Sequence, residues 1–225
     1  ARAVMTEPLA CVLHAAELAV RANTRYRLTA DTSAPDRVRT IAVLGAGPAG
    51  LLFVQVLRHH YAFDGPIVVS DPSAHKRALA TSFGATAVPP DELQDTVLQA
   101  SGGRRAELLV EASGSGHVIP AAADVIRKQA TVLLYGVGHG DAPLEHLTLL
   151  QWKEAVLVTS VGASGGFDAD GRPTIYRAAL RLLERGRIDV GTMQTHRYER
   201  LTGVPMAFTG AHREPDYVKA VAELT

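Results

Sequence analysis

The sequence predicts an α/β protein in which a doubly wound, mainly parallel sheet of six strands carries helices on both faces. Two observations predict this fold class. Short apolar runs alternate along the chain with longer segments of helical periodicity. These runs are nearly continuous in Val, Ile and Leu, which is typical of parallel strands that are buried on both faces of a sheet.

The first element is a helix predicted over residues 8–22, because Leu9, Val12 and Ala16 recur at helical spacing. A polar loop is predicted over residues 23–39. Strands are predicted after the loop at Ile41–Leu44, Ile67–Ser70, 108–111, 132–135 and 156–161, with Thr86–Val88 as a short further strand. Helices are predicted between the strands at residues 48–60, 73–83, 91–100, 117–128 and 173–185. The chain is thus expected to divide into an N-terminal helix and linker (1–39), a sheet domain (40–190) and a C-terminal tail (191–225).

The composition excludes several classes of protein. Lys and Arg number 23, and Asp and Glu also number 23, so the chain lacks the basic field of a protein that binds nucleic acid or an anionic membrane. The single cysteine, Cys11, cannot build a disulfide framework and fits a reducing cytoplasm. No apolar run reaches the roughly 20 residues that span a bilayer, and Glu7, His14 and Glu17 interrupt any secretory signal. We therefore expect a soluble cytoplasmic protein.

A glycine-rich turn follows the first predicted strand. It runs Gly45-Ala46-Gly47-Pro48-Ala49-Gly50. Gly45 allows a sharp turn off the strand, Gly47 lets a pyrophosphate approach the backbone, and Gly50 lets the next helix lie close to the sheet. Pro48 and Ala49 begin that helix, whose free N–H groups and dipole favour a phosphate group. Because the turn joins a buried strand to a helix, it predicts a Rossmann domain that binds a dinucleotide.

An acidic residue follows the second predicted strand. Asp71 lies 21 residues after Gly50, where a carboxylate accepts hydrogen bonds from the adenosine ribose hydroxyls. An additional 2′-phosphate about 4 Å away would cost about 4 kcal/mol per unit charge at an effective dielectric constant near 20. The cations His75, Lys76 and Arg77 would offset only part of this cost, because they lie further along the chain on the next helix. The sequence therefore predicts NAD as the coenzyme and makes NADP less favoured.

FAD is a weaker alternative ligand, since many flavoenzymes open with a similar glycine turn. Those enzymes usually have a small residue four positions after the last glycine, where this chain has Val54. They also usually carry the turn at the extreme N-terminus of the chain. Neither feature fits this sequence well.

Together these features resemble the medium-chain dehydrogenase/reductase family, which comprises the zinc-dependent alcohol and polyol dehydrogenases. The resemblance covers nearly the whole chain. It begins with residues 7–15, which are similar to the helix that enters the family's coenzyme domain, and continues through the glycine turn and Asp71. Further segments that match the family's pattern are residues 83–86, 110–114, 134–137, 195–198 and 217–219.

The resemblance implies an enzyme that transfers hydride between a nicotinamide coenzyme and an alcohol or carbonyl substrate. By this likeness Lys76 reaches the adenosine ribose and Lys219 reaches the pyrophosphate. The residues that flank the nicotinamide by the same likeness are Ser113, Gly136, Val137, Val161 and Gly162. Since the edge of the coenzyme sheet commonly pairs two subunits in the family, a homodimer through the strand at residues 156–161 is expected.

The sequence also departs from the family's pattern. The family's catalytic domain and its first zinc ligands precede the coenzyme domain, and nothing in this chain corresponds to them. In the polyol branch Glu7 would be a metal-associated ligand, but a catalytic zinc ion needs three protein ligands and an open position. The chain also begins with Ala1 instead of Met. We therefore expect the coenzyme domain of a longer, zinc-containing, NAD-dependent alcohol or polyol dehydrogenase, inactive by itself, with a stand-alone NAD-binding sensor as the alternative.

Two sets of reactive side chains have simpler interpretations. Glu7, Cys11 and His14 share one face of the first helix, where Glu7 is expected to cap the helix, Cys11 to pack as a small apolar residue and His14 to face a neighbour. His139 follows the fifth predicted strand and is expected to lie in a loop near the nicotinamide, and acid–base catalysis by it is less favoured. The sequence does not identify the alcohol or polyol.

Overall fold

The central sheet contains six strands that are all paired in parallel. They are β1 (Ile41–Leu44), β2 (Ile67–Ser70), β3 (Thr86–Val88), β4 (Ala106–Glu111), β5 (Ile126–Leu134) and β6 (Val156–Thr159). Their order across the sheet is β3-β2-β1-β4-β5-β6. The computed structural model describes residues 2–31 and 33–223, so the predicted segments 1–39 and 191–225 lie partly outside the described residues.

Eight α-helices accompany the strands in the described part of the chain. They are α1 (Thr6–Arg21), α2 (Pro48–His59), α3 (Ala74–Ser82), α4 (Leu93–Ala100), α5 (Val118–Val125), α6 (Leu147–Trp152), α7 (Thr174–Glu184) and α8 (Val204–Thr209). A separate two-stranded parallel sheet joins β7 (His196–Tyr198) to β8 (Ala220–Ala222). The segment at residues 217–219, which resembles the family's closing basic strand, therefore precedes β8 and does not form it.

Side chains of a single strand enter two cores, one on each face of the sheet. In β1, Ile41 and Val43 join a core that includes α1, α2 and α7, whereas Ala42 and Leu44 join a second core that includes α4 and α5. These four residues are all buried. The nearly continuous apolar run that predicted a doubly wound sheet thus has a direct physical cause, and the predicted fold class is confirmed.

The predicted end of the helix at residues 117–128 is wrong. Helix α5 ends at Val125, and Ile126 already has extended backbone angles (φ −86°, ψ 148°) and begins β5. The polar residues that follow concealed this strand in the sequence. Arg127 has a structural reason to lie there, because its Nη1 donates to Oε1 of the buried Glu107 at 3.0 Å.

Helix α1 bears on the expectation that no segment could cross a membrane. By length and composition alone, the helical segment Arg2–Arg21 is long and apolar enough to do so, contrary to the expectation from the sequence. In the structure Leu9, Val12 and Leu13 of this segment are buried in the protein core. Because the core helix of a soluble protein passes the same test, the segment is weak evidence for a membrane span.

Candidate functional site

A cleft of about 420 Å³ opens at the carboxyl ends of the central strands. It lies where the chain changes direction across the sheet, between β1 and β4. Open α/β sheets bind their ligands in the crevice at this switch point. Five of the residues predicted from the sequence to bind the coenzyme line the cleft together: Gly45, Gly47, Asp71, Lys76 and Ser113.

The glycine turn leaves room for a ligand at one position only. Gly45 has a backbone φ of +94°, which residues with a side chain rarely adopt, and a Cβ there would lie 3.0 Å from the backbone nitrogen of Ser113. A Cβ on Gly50 would lie 1.9 Å from the carbonyl oxygen of Gly45. By contrast, a Cβ on Gly47 would meet no described protein atom within 4 Å. Gly47 is the N-cap of α2, which begins at Pro48, so the open side adjoins first-turn N–H groups without helical partners.

Asp71 is buried at the floor of the cleft, directly after β2. Its Oδ2 accepts a hydrogen bond from the backbone N–H of Ala46 at 2.7 Å, and its Oδ1 accepts one from the backbone N–H of Ser73 at 2.8 Å. Arg77 folds back and donates to the carbonyl oxygens of Asp71 and Pro72. The carboxylate is therefore held in one orientation, and each oxygen keeps a lone pair for a ligand hydroxyl.

Glu111, a residue that the sequence reasoning did not assign to the site, organises the neighbouring loops. It ends β4, is 0% exposed, and its Oε1 accepts from Ser113 N at 2.7 Å, from Ser113 Oγ at 2.5 Å and from Gly114 N at 3.0 Å. Its Oε2 lies 2.8 Å from His139 Nε2. A Cβ on Gly136 would lie 2.5 Å from the same Oε2. An acid at the end of a buried apolar run was the available signal.

The remaining predicted coenzyme residues do not line the cleft. Pro48, Ala49 and Gly50 lie behind the turn in the first turn of α2. Those predicted to flank the nicotinamide follow β5 or β6 at the same edge of the sheet, and the side chains of Val137 and Val161 are 81% and 77% exposed. They are Gly136, Val137, Val161 and Gly162. Lys219 is half-buried before β8, where its carbonyl oxygen accepts from His196 N at 3.2 Å.

The cleft has an outer wall that sequence reasoning missed. Four consecutive residues of the C-terminal tail line it: His212, Arg213, Glu214 and Pro215. The Ser73 hydroxyl donates to the carbonyl oxygen of Pro215 at 2.5 Å, and His196 Nε2 lies 3.0 Å from Glu214 Oε2. No local motif marks this segment, because its position depends on contacts with residues far away in the sequence.

The reactive face of α1 follows its simpler interpretation with one correction. Cys11 is buried, and its Sγ donates to Glu7 Oε1 at 3.1 Å. Burial, together with the hydrogen bond to Glu7, raises the pKa of the Cys11 thiol to about 12. His14 faces Ser164 Oγ at 3.4 Å, as predicted. The predicted cap is wrong, because the N-cap of α1 is Met5 and Glu7 instead accepts from Cys11.

Glu7 does not fit a catalytic zinc site built from this chain. Such a site needs three protein ligands. Within residues 2–31 and 33–223, three metal-ligating side chains come together in one group, and Glu7 is not a member of it. That group is His196, Glu214 and Asp216, whose ligand atoms lie within 4.8 Å of one another. Its two carboxylates are exposed, which is common at protein surfaces without a metal ion.

Residues 48–185 match the model of a family described as zinc-binding dehydrogenase. L-threonine 3-dehydrogenase of Pyrococcus furiosus is 26% identical over 173 residues, which cover 76% of this chain and 47% of that enzyme. Erythritol/L-threitol dehydrogenase of Mycolicibacterium smegmatis is 24% identical over 199 residues, covering 87% of this chain and 48% of that enzyme.

Among solved structures, a zinc-binding dehydrogenase from Sinorhizobium meliloti bound to NADP superimposes with a TM-score of 0.73. It is 24% identical and aligns with 98% of this chain and 58% of its own chain. This likeness supports the fold. The chain spans about half the length of the curated relatives that it matches.

Proposed function

Since the chain belongs to the zinc-binding dehydrogenase family, we propose that it binds NAD as the coenzyme-binding domain of a dehydrogenase that acts on a small alcohol or polyol. The observation that carries the proposal is the open side of Gly47. It faces a 420 Å³ cleft at the switch point of the sheet, beside the N-terminus of α2. A backbone surface without a Cβ, next to free N–H groups, is the arrangement that accepts a diphosphate.

Asp71 supports NAD over NADP. Its carboxylate is held at the floor of the cleft by the amides of Ala46 and Ser73, so it cannot swing away from a 2′-phosphate. Arg77 offers little compensation, because its guanidinium donates to the carbonyl oxygens of Asp71 and Pro72. Lys76 remains the cation of α3 that lines the cleft, and we assign it to the adenosine ribose.

The chemistry is hydride transfer, for which a nicotinamide coenzyme supplies the hydride carrier when bound. This chain's own residues bind and orient that coenzyme. Ser113 lines the cleft, and we assign it to the nicotinamide side together with the four loop residues Gly136, Val137, Val161 and Gly162. Lys219 is assigned to the pyrophosphate through the family resemblance. Glu111 holds Ser113 and Gly114 in place by three hydrogen bonds.

We assign the zinc ion to the longer parent enzyme, with most of its ligands supplied by residues that this chain does not contain. Glu7 offers one carboxylate, which is engaged with Cys11, whereas catalytic zinc needs three protein ligands. The chain alone is therefore expected to bind coenzyme without oxidising alcohols.

We further propose a soluble cytoplasmic protein that pairs with a second copy through the edge strand β6. Within residues 2–31 and 33–223, β6 pairs with β5 alone.

Isothermal titration calorimetry of the chain with NAD, NADP and FAD tests the proposal. We expect NAD to bind more tightly than NADP and FAD not to bind. Tighter binding of NADP would overturn the coenzyme preference, and binding of FAD alone would favour the flavin alternative. If neither nicotinamide coenzyme binds at millimolar concentration, the function is wrong.

An activity assay separates the dehydrogenase domain from a stand-alone sensor. The chain is incubated with NAD, zinc and a panel of alcohols and polyols, and NADH is followed by its absorbance. We expect no turnover by the chain alone and turnover by a longer natural protein that contains it. Turnover by the chain alone would overturn the expected inactivity, and a natural protein without a zinc-ligand domain would favour the sensor.

A further inference from the structure

The C-terminal segment at residues 212–215, which we name the tail wall, closes the outer side of the coenzyme cleft. Two contacts hold it there. The Ser73 hydroxyl, directly beyond Asp71 and Pro72, donates to the carbonyl oxygen of Pro215 at 2.5 Å. On the other side, Glu214 pairs with His196 of β7. The tail wall therefore faces the part of the cleft that is lined by Asp71 and the glycine turn, where we propose that a dinucleotide binds.

The ionisable side chains that line the cleft fall into two groups. In the first group each polar end is already engaged. Asp71 accepts from two backbone amides, Glu214 pairs with His196, and His212 Nδ1 lies 3.2 Å from the carbonyl oxygen of Ala207. The carboxylates of Asp71 and Glu214 therefore keep their negative charge but are held in place by donors of the protein.

The second group consists of Lys76 and Arg213, whose charged ends have no hydrogen-bond or ion-pair partner among residues 2–31 and 33–223. Lys76 approaches from α3 and Arg213 from the tail wall, so the two cations belong to different elements that border one cleft. Two cations without a protein partner can donate charge-assisted hydrogen bonds to an anion that enters the cleft. A dinucleotide carries such anions in its diphosphate and, for NADP, in the 2′-phosphate.

We infer that Arg213 is a coenzyme-binding residue whose guanidinium contacts a phosphate group of the dinucleotide. The inference rests on the proposed function and adds a ligand from the tail wall to those expected from the sheet. Guanidinium donors form a planar fork that matches two phosphate oxygens. The backbone around Arg213 is already fixed, because its N–H donates to the carbonyl oxygen of Gly210 at 2.9 Å and the contacts of Glu214 and Pro215 follow. Binding therefore orders a side chain and not a loop.

Calorimetric titration of Arg213→Gln with NAD and NADP tests this inference. The matched control is Arg185→Gln, which removes the same charge from an exposed arginine that does not line the cleft. Loss of one charge-assisted contact is expected to weaken coenzyme binding about fivefold to tenfold, while the control changes it less than twofold. Arg213→Lys, which keeps the charge without the fork, should fall between wild type and Arg213→Gln.

The two coenzymes identify which phosphate Arg213 contacts. Equal weakening for NAD and NADP assigns the diphosphate, and weakening for NADP alone assigns the 2′-phosphate. Either result supports the inference, provided that circular dichroism shows an unchanged fold. If Arg213→Gln binds both coenzymes as tightly as Arg185→Gln does, the inference is wrong while the proposed function stands. If the wild-type chain binds neither coenzyme, both are wrong.

Discussion

The carboxylate of Asp71 accepts a hydrogen bond from the backbone N–H of Ala46 at 2.7 Å, which ties the end of β2 to the glycine turn 25 residues earlier in the chain. Both residues are buried. The acid therefore has a structural role besides the ligand role that we propose, because it orients the turn that would hold the diphosphate. Substitutions at Asp71 must be designed to separate the two roles.

We expect Asp71→Asn to weaken NAD binding about tenfold and to improve the affinity for NADP relative to NAD. The amide keeps one oxygen to accept from a backbone N–H, but the variant loses the charge-assisted hydrogen bonds to the ribose and the repulsion of a 2′-phosphate. Calorimetric titration with both coenzymes measures the ratio of affinities. Asp95→Asn on α4, exposed and away from the cleft, is the control. An unchanged ratio in Asp71→Asn would remove this residue from the ribose site.

Gly47→Val is expected to abolish dinucleotide binding while the protein stays folded. A Cβ at Gly47 would meet no described protein atom within 4 Å, and the residue has an ordinary φ of −68°, so the side chain fits without strain but fills the proposed phosphate position. Gly50→Ala is the contrasting variant, because its Cβ would lie 1.9 Å from the Gly45 carbonyl oxygen. We expect it to lower the free energy of unfolding by about 3 kcal/mol. Normal coenzyme binding by Gly47→Val would relocate the site.

Strands β1, β2 and β3 begin and end where the sequence predicted, because each is a short apolar run with turn residues or helix signals on either side. Ile41 and Ala42, for example, both reach a core, one on each face of the sheet. Strand β5 was predicted too short for the opposite reason. Its first residues include Arg127, which pairs with the buried Glu107, so the start of the strand lacks a continuous apolar run and was assigned to the preceding helix.

The candidate site likewise contains residues that could be predicted from the sequence and residues that could not. Gly45, Gly47 and Asp71 could be predicted to share a cleft, because they follow strands whose carboxyl ends meet at one edge of the sheet. The tail wall could not be predicted, since Pro215 reaches Ser73 from 142 residues away through a single backbone acceptor. Glu111 was visible as an acid in an apolar run, but its donors become evident only when the loops are folded.

Glu111→Ala is expected to lower the free energy of unfolding by about 3 kcal/mol and to weaken coenzyme binding. The substitution leaves the backbone N–H groups of Ser113 and Gly114 without their acceptor at a partly buried site, and it removes the partner of His139. Glu111→Gln keeps the Oε1 acceptor and should cost much less. Urea denaturation measures the stability, and calorimetry measures the binding. Equal stability of Glu111→Ala and wild type would contradict the supporting role of this carboxylate.

Leu157→Arg is expected to convert a homodimer into a monomer. Leu157 lies in the edge strand β6 with 43% of its surface exposed, and an unpaired apolar edge favours pairing with a second strand. Two arginines brought together at such an interface would repel and lose hydration. Leu180→Arg on α7, where the leucine is 39% exposed, is the matched control. Size-exclusion chromatography with light scattering gives the mass, and a monomeric wild type would rule out pairing through β6.

The Cys11 thiol should become a source of instability only at high pH. Burial raises its folded-state pKa to about 12 from an ordinary value of 9.0, with the hydrogen bond to Glu7 as the next cause. Since the unfolded chain ionises this thiol more easily, its stabilising contribution is fully present below pH 9 and is lost as the pH rises toward 12. Burial also raises the pKa of Tyr61 and Tyr135 to about 12, so these tyrosines affect the stability in the same pH range. Their contribution cancels when the unfolding free energy of Cys11→Ala is subtracted from that of the wild type, and this difference is the quantity to measure.

We expect that difference to shift against the wild type as the pH rises above 9, because only the wild type has a thiol to ionise in the unfolded state. Below the unfolded-state pKa the thiol should also resist Ellman's reagent in the folded protein and react in urea, since the thiolate is the reactive species. Glu7→Gln removes the neighbouring negative charge, so it should lower the thiol pKa and speed this reaction. A pH-independent difference, together with rapid labelling of the folded wild type at pH 8, would show that Cys11 ionises as an exposed thiol does.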